Sequence, residues 1–192
     1  LLLGSVLGYL LAVFATNSPR FGATGLTIIA AISAIPTVAL AAVVLQWTRD
    51  VSTDVTVRSY VMKLIIVTIV SIASMTLNAY RGLTELKPFA LDLMKSYAAG
   101  KFTVFIKLRA PNSLPYIFTS LKVSVPACVI AALVSEYFAE KITGVGRRIR
   151  ECILQAQYST AWAYIAVACL IGIVLFAILM ASEKVIMRKR SS

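Results

Sequence analysis

The chain has 192 residues, of which 59% are hydrophobic and 14% are charged, and its mean hydropathy is +0.86. This composition excludes an ordinary soluble domain and predicts an all-α, polytopic membrane protein. The net charge of +11 does not indicate a nucleic-acid partner, because the basic residues lie between apolar runs and lack the interleaved aromatics of a strand-binding surface. Membrane lipid is the expected partner of these residues.

Composition also argues against metal and acid–base chemistry. Histidine, the commonest metal ligand and general base, is absent from the sequence. The three cysteines, Cys128, Cys152 and Cys169, are widely separated, and two of them lie within apolar runs. We therefore expect small buried hydrophobic residues here, and neither a metal site nor a disulfide.

Five apolar runs predict membrane spans, at about residues 1–16, 26–47, 60–79, 115–138 and 162–182. The first run covers only about 22 Å, short of a hydrocarbon layer of roughly 30 Å, so we expect a truncated span. Its small residues, as in GSVLG, permit close helix approach.

Pro36 and Pro126 lie within the second and fourth spans, where each should kink its helix. Such kinks serve either helix packing or an opening pathway, and the sequence leaves both open.

The distribution of Lys and Arg predicts the orientation, since positively charged loops are retained in the cytoplasm. Five spans place the loop 17–25, the long loop 80–114 and the tail 183–192 on one side, with 11 basic residues against six in the opposite loops. The long loop and the basic tail are therefore predicted to be cytoplasmic. The margin is modest, because the opposite side contains the basic stretch GVGRRIRE.

A compact basic segment, LKPFALDLMKSYAAGKFTVFIKLRAPNSLP, lies within the long loop and is predicted to form two short helices. Pro88 suits the first turn of the first helix. Leu91, Met94 and Ala98 share a narrow apolar face of that helix. The following AAG breaks the helix, with Gly100 free to adopt a positive φ.

The second short helix, KFTVFIKL, is predicted to end at Pro111. Asn112 or Ser113 can then cap the fourth span, with Pro115 in its first turn. The expected result is a compact helix–turn–helix unit that lies parallel to the membrane at its cytoplasmic face.

Two readings of this unit remain open. Tyr97 and Phe102 flank a tight bend of small residues, which is the composition of a docking knob for a protein partner. The lysines equally suit an amphipathic helix that lies on the lipid surface.

Several stretches resemble the permease subunit of binding-protein-dependent ABC importers of the type I class, with a MetI-like helical bundle. AISAIPTVALAAVVLQW resembles the proline-centred second core span of that family, LNAYRGL its approach to the loop, and VSEYFAEKITGVGRRI the region after the loop. The resemblance covers nearly the whole chain and implies a permease domain over residues 1–182, truncated at its N-terminus, followed by the basic tail 183–192. Within the superfamily, the chain is most similar to the sulfonate, nitrate and taurine group, especially the branch for pyrimidine thiamin precursors or riboflavin.

The family's loop is written E-A-A-x-x-x-G and closes on a Leu-Pro pair. Alignment on SLPYIF places its acidic residue at Asp92, its two alanines at Leu93 and Met94, and its glycine at Ala98. It places the closing pair at Leu114 and Pro115. The resemblance implies that the segment 88–115 couples to an ATPase through these residues and those of the bend: Asp92, Leu93, Met94, Tyr97, Ala98, Ala99, Gly100, Phe102, Leu114 and Pro115.

The resemblance also implies the partners. They are a dimeric ATPase inside, an extracytoplasmic substrate-binding protein, and a second permease copy, most simply an identical one, in the cytoplasmic membrane. The sequence contains no G-x-x-x-x-G-K-[ST] phosphate loop, so the partner would use the ATP and this chain would bind no cofactor. The implied substrate is a small organic molecule, such as a pyrimidine precursor, riboflavin, or an anion of the sulfonate or nitrate type.

Candidate pathway residues are Pro36, Asn78, Lys122, Pro126 and Glu136. Glu136 lies near the outer end of the fourth span, where an acid is either functional or pairs with Lys141 among the headgroups. Lys122 can line the pathway or extend its ammonium group to the headgroups. Asn78 ends the third span, where it serves either the helix terminus or a substrate.

Two other classes of protein are weighed against the importer. An ion-coupled secondary transporter is the alternative, although it usually carries mid-bilayer acids that this sequence lacks. A membrane enzyme is disfavoured because neither a carboxylate pair nor a nucleophile with its base stands out.

Overall fold

The computed structural model describes residues 1–50, 53–139 and 144–191, apart from the side chains of residues 19–21, 23 and 189–191. The described residues confirm the predicted all-α class, and their helices are α1 Leu2–Asn17, α2 Pro19–Ser33, α3 Thr37–Thr48, α4 Val55–Thr84, α5 Ala90–Ser96, α6 Lys101–Val104, α7 Ala110–Phe138, α8 Val145–Leu154 and α9 Tyr158–Ser191. A π-helical turn, Phe105–Arg109, joins α6 to α7.

Within the part of the chain that the structure describes, three helical segments are long and apolar enough to cross a membrane: Val55–Thr84, Lys101–Phe138 and Tyr158–Arg188. They confirm the third, fourth and fifth predicted spans. Each helix extends beyond the apolar run that predicted it. The helix α9 continues through most of the predicted tail, to Ser191. The helix α1 is apolar but has only 16 residues.

The second predicted span is not a single kinked helix. The structure divides it into Thr24–Ser33 and Thr37–Thr48, which meet at 93°. The break falls at Pro36, which cannot donate a backbone hydrogen bond and which has φ −58° and ψ 124°. Its ring also disfavours helical geometry in the preceding residue, so α2 ends before it. Pro126, by contrast, lies inside the single helix α7.

The first half of the basic segment also differs from its prediction. The helix α5 begins at Ala90, two residues after Pro88, because the intervening Phe89 has a left-handed backbone with φ 63°. Gly100 has φ −66°, so its predicted positive φ is wrong. After α5, the left-handed residue is Ala98, with φ 50°.

Pro111 does not end the second helix of the segment. The chain is helical from Lys101 to Phe138, through the π turn. Pro111 lacks the N–H that would donate to the carbonyl of Lys107, and the wider π turn accommodates the missing bond. Asn112 and Ser113 therefore lie inside α7 and do not cap it.

The helix α4 is at the centre of the bundle and contacts α1, α2, α3 and α7. Near the exposed loop, buried residues of α1 and α4 pack with side chains of α7, and this cluster contains Ala12, Met75, Ala79 and Leu83. Toward the other end, α3, α4 and α7 share a second cluster of Ala41, Val44, Met62, Ile66 and Ala131. We call the end of the bundle that carries residues 85–109 the loop end and the opposite end, near α8, the far end.

Close approach of α1 to α4 confirms the prediction from GSVLG. A Cβ atom on Gly4 would lie 2.7 Å from the Cβ of Ser71, and one on Gly8 would lie 2.8 Å from the carbonyl oxygen of Ile72. The hydroxyls of Ser5 and Ser71 also share a hydrogen bond of 3.1 Å across this contact. Glycine is needed at both positions because any side chain would push the two helices apart.

Candidate functional site

We call residues 85–109, between the end of α4 and the start of α7, the bend. Three of its aromatic side chains project away from the bundle: Phe89 is 83% exposed, Tyr97 77% and Phe102 75%. The helix α5 has no buried residue, and Leu93 on it is also exposed. An apolar surface of this kind, displayed on a short helix and its turn, can bury against a partner.

A regular hydrogen-bond pattern ends α5 and shapes the bend. The N–H of Ala98 donates to the carbonyl of Lys95 at 2.8 Å, and the N–H of Ala99 donates to the carbonyl of Met94 at 3.0 Å. These bonds, with the left-handed φ of Ala98, form a Schellman motif, whose left-handed residue is usually glycine. The helix thus turns at Ala98, two residues before the glycine that the sequence favoured.

The other predicted coupling residues have varied environments. Asp92 pairs with Lys95 at 3.0 Å, but both side chains are largely exposed, so the pair contributes little stability. Gly100 is the N-cap of α6, and no atom lies within 4 Å of a Cβ placed on it. Leu114 and Pro115 lie half-buried in the second turn of α7, outside the bend.

Glu136 joins three helices at the far end. It is only 7% exposed, and its carboxylate accepts hydrogen bonds from the Lys63 ammonium of α4 and, at 2.9 Å, from the N–H of Gly146 in α8. A Cβ on Gly146 would overlap the carbonyl oxygen of Leu133, so only glycine brings this N–H close enough. Lys141, the partner considered from the sequence, lies outside the described residues.

The basic stretch after α7 caps that helix. Arg147 donates to the carbonyl of Ala139 at 3.1 Å, and Arg150 donates to the carbonyl of Tyr137 at 3.2 Å. These carbonyls belong to the last turn of α7, which has orphan acceptors and the negative end of the helix dipole. Arg147 also donates to Glu151, and this hydrogen bond lowers the pKa of the Glu151 carboxyl. GVGRRIRE is therefore basic for a structural reason.

A second ion pair joins α7 to α9. The Lys122 ammonium lies 2.7 Å from a carboxylate oxygen of Glu183, and both side chains are at least two-thirds buried. Glu183 was not among the residues predicted from the sequence, because it follows the fifth span and lies in the predicted basic tail 183–192. Its pairing gives Lys122 a structural role in addition to the pathway role predicted for it.

A cavity of about 810 Å³ lies among α4, α7 and α9. Its wall is mostly apolar, and Lys63 and Glu136 contribute charged groups to it. The remaining pathway candidates do not line it. Asn78 donates to the carbonyl of Ser74 in its own helix at 2.9 Å, while Pro36 and Pro126 are exposed on the bundle surface.

Metal chemistry finds no support in the described ranges, which hold no group of three or more His, Cys, Asp or Glu side chains placed to bind an ion.

Comparison with known proteins then decides the class. Residues 4–192 match the family described as "Binding-protein-dependent transport system inner membrane component". The chain belongs to this family. The permease resemblance found in the sequence is therefore confirmed, and the protein is a multi-pass membrane component of a transport system.

Two curated relatives carry related names. The formylaminopyrimidine transport permease protein ThiX of Halalkalibacterium halodurans is 27% identical over 187 residues, which cover 97% of this permease and 71% of that protein. A "Probable ABC transporter permease protein" of Haemophilus influenzae is 26% identical over 137 residues, which cover 71% of this permease and 53% of that protein. Both names agree with the ABC transporter class.

Proposed function

We propose that this permease forms the translocation pathway of an ABC importer and couples to a separate ATPase through the segment 88–115. The observation that carries the proposal is the bend, because Phe89, Tyr97 and Phe102 are each at least three-quarters exposed on one short loop. Burying a large apolar side chain contributes about 1.5–3 kcal/mol, so a partner that covers these three residues gains substantial binding energy.

The backbone of the bend supports the alignment with the family's loop. That alignment places the family's glycine at Ala98, and Ala98 has the left-handed φ that glycine favours. Asp92 then occupies the acidic position within the first turn of α5, near the positive end of the helix dipole. The shape of the loop is thus compatible with the coupling role, although the residues differ from the family pattern.

Copurification tests the coupling proposal. The double variant Tyr97→Ala/Phe102→Ala should lose at least about tenfold in ATPase recovered with the tagged permease, since exposed aromatics of this kind dominate docking energies. The control, Ile35→Ala/Trp47→Ala, removes two exposed large apolar side chains outside both the bend and α9 and should retain the ATPase. Equal recovery of the ATPase with both double variants would show that the bend is not part of the interface. Failure of the unaltered permease to recover any ATPase would instead favour the ion-coupled transporter.

The orientation is also part of the proposal, with the bend and the C-terminus in the cytoplasm. The excess of Lys and Arg at the loop end supports it. A Ser191→Cys variant, in a background without the native cysteines, should react with an impermeant maleimide in inverted vesicles and not in intact cells. Labelling of intact cells would show that the permease has the opposite orientation.

For the substrate we propose a small pyrimidine precursor. The support is the name of the relative ThiX, which aligns over nearly the whole permease. Uptake of labelled formylaminopyrimidine by the complete transporter, compared with riboflavin and taurine, tests it. Preference for either of the other two would replace the pyrimidine proposal and leave the permease role intact.

We also propose an external binding protein and a second permease, most simply an identical copy, as partners. Glu136 and Lys122 are retained as pathway candidates because they carry charges at restricted exposure. Pro36, Asn78 and Pro126 remain predictions from the sequence. The helix α9 offers the surface for the second copy or for lipid, since little of its apolar length is buried within the chain.

A further inference from the structure

At the loop end, a side chain from the π turn and one from the first turn of α7 bind the last turn and the C-cap of α4. The amide of Asn112 donates to the carbonyl of Gly82 at 2.8 Å and to the carbonyl of Glu85 at 3.0 Å. Arg109 donates to the intervening carbonyl of Leu83 at 3.2 Å. The last carbonyls of a helix have no partner within the helix, so these three bonds replace a cap on α4. We call Gly82, Leu83, Glu85, Arg109 and Asn112 the joint.

The two helices touch closely at the joint. A Cβ on Gly82 would lie 2.8 Å from the Cα of Ser113 and 2.8 Å from the ring of Tyr116. Leu83 and Ser113 are fully buried there. The hydroxyl of Tyr116 donates to the Glu85 carboxylate at 3.1 Å and extends the contact. The end of α4 therefore packs directly against the start of α7.

The connections of the bend to its two flanking helices are unequal. On one side, α6, the π turn and α7 form a continuous helix, so a displacement of the bend reaches α7 directly. On the other side, residues 85–89 are not helical, and a displacement that passed only through them would be absorbed by backbone rotation. The amide of Asn112 bypasses this segment, because it ties α7 directly to the last turn of α4.

We infer that Asn112 is a positioning residue that makes α4 move with α7 when a partner displaces the bend. Both helices line the cavity of about 810 Å³ together with α9, so their joint movement relative to α9 would change the shape of that cavity. The inference rests on the proposed coupling to an ATPase. It goes beyond that proposal in assigning transmission to Asn112, which lies within the segment 88–115 but is half-buried against α4, apart from the exposed Phe89, Tyr97 and Phe102.

The test uses the complete transporter in proteoliposomes and measures ATP hydrolysis and substrate uptake together. Asn112→Leu keeps the side-chain volume and removes both donors. We expect hydrolysis within about twofold of the unaltered transporter and uptake per ATP lowered about tenfold, from the loss of two hydrogen bonds. The matched control is Asn17→Leu, which removes a similar amide bond, to the carbonyl of Val13 at 3.1 Å within α1. It should leave uptake per ATP unchanged.

Rescue distinguishes transmission from a purely structural role. Glu85→Cys and Tyr116→Cys, added to Asn112→Leu in a background without the native cysteines, place thiols on both sides of the joint. A short bifunctional thiol reagent that links them should restore at least half of the lost uptake per ATP. A Leu variant that fails to assemble is replaced by Asn112→Asp, which has nearly the same shape and sets a carboxylate against the same carbonyls.

The outcomes are distinct. Unchanged uptake per ATP in both Asn112 variants overturns the inference, and so does a loss that the cross-link does not restore. If the unaltered transporter itself shows no ATP-dependent uptake, the proposed function fails, and the inference fails with it. Uncoupling with rescue, in a transporter whose Asn17 variant is normal, supports both.

Discussion

Replacement of Ala98 by glycine is expected to stabilise the turn that ends α5, and replacement by valine is expected to open it. Ala98 has φ 50°, a conformation that costs an L-residue roughly 1–2 kcal/mol. Glycine removes that cost but adds freedom to the open chain, which offsets about 0.5–1 kcal/mol. The net gain is about 1 kcal/mol, or roughly a fivefold shift in the local opening equilibrium. Valine is worse than alanine because its branched side chain crowds the left-handed region.

Hydrogen exchange measured by mass spectrometry follows this equilibrium. The reporters are the N–H groups of Ala98 and Ala99, which donate to Lys95 and Met94. In the purified permease, Ala98→Gly should slow their exchange about fivefold, and Ala98→Val should accelerate it. The control Gly100→Val should change it less than about twofold, because Gly100 has φ −66° and open space at its Cβ position. Faster exchange in Ala98→Gly would refute the left-handed turn and the argument built on it.

Three further predictions concern helix contacts and are read from the thermal unfolding of the detergent-purified permease. Lys63→Met leaves the buried Glu136 carboxylate without its cation and should lower the free energy of unfolding by about 3 kcal/mol. Adding Glu136→Gln should restore most of this loss in the double variant. Losses that simply add would show that the two side chains are not coupled. Gly8→Leu should cost at least about 1–3 kcal/mol by forcing α1 away from α4, whereas Gly172→Leu, at a glycine with open space, should be neutral. Exchange of the charges at Lys122 and Glu183 should preserve more stability than either single reversal does, and equal losses would contradict the ion pair.

Long apolar runs predicted the main helices because a membrane span needs both length and apolarity. The same rule did not distinguish a kink from a break at Pro36, since both remove the same hydrogen bond. The decision depends on whether neighbouring helices support the chain on both sides of the proline. The π turn before Pro111 was likewise invisible, because its residues have ordinary helical propensity.

Some polar contacts of the site could have been predicted from the sequence, and others could not. Successive spans run antiparallel, so the start of the third and the end of the fourth meet, and this rule could have paired Lys63 with Glu136. The pairing of Lys122 with Glu183 depends on how far α9 continues as a helix, which hydropathy does not determine. The turn at Ala98 was missed because a helix boundary was misplaced by two residues, which is the usual uncertainty of such boundaries. Glycine propensity then favoured Gly100.

Three sets of polar contacts connect α4, α7 and α9, the helices around the cavity. Asn112 ties α4 to α7 at the loop end, the Lys63–Glu136 pair ties them again at the far end, and Lys122–Glu183 ties α7 to α9. Apolar contacts between these ties are non-directional and allow small sliding movements, whereas a hydrogen-bonded tie resists displacement of its atoms. Under the proposed coupling, a displacement of the bend reaches α7 through the continuous helix and reaches α4 through Asn112, while the Lys63–Glu136 pair holds the two helices together at the far end. Loss of the far-end pair should lower stability, and loss of the Asn112 bonds should lower coupling, so the two variants separate a structural tie from a transmitting one.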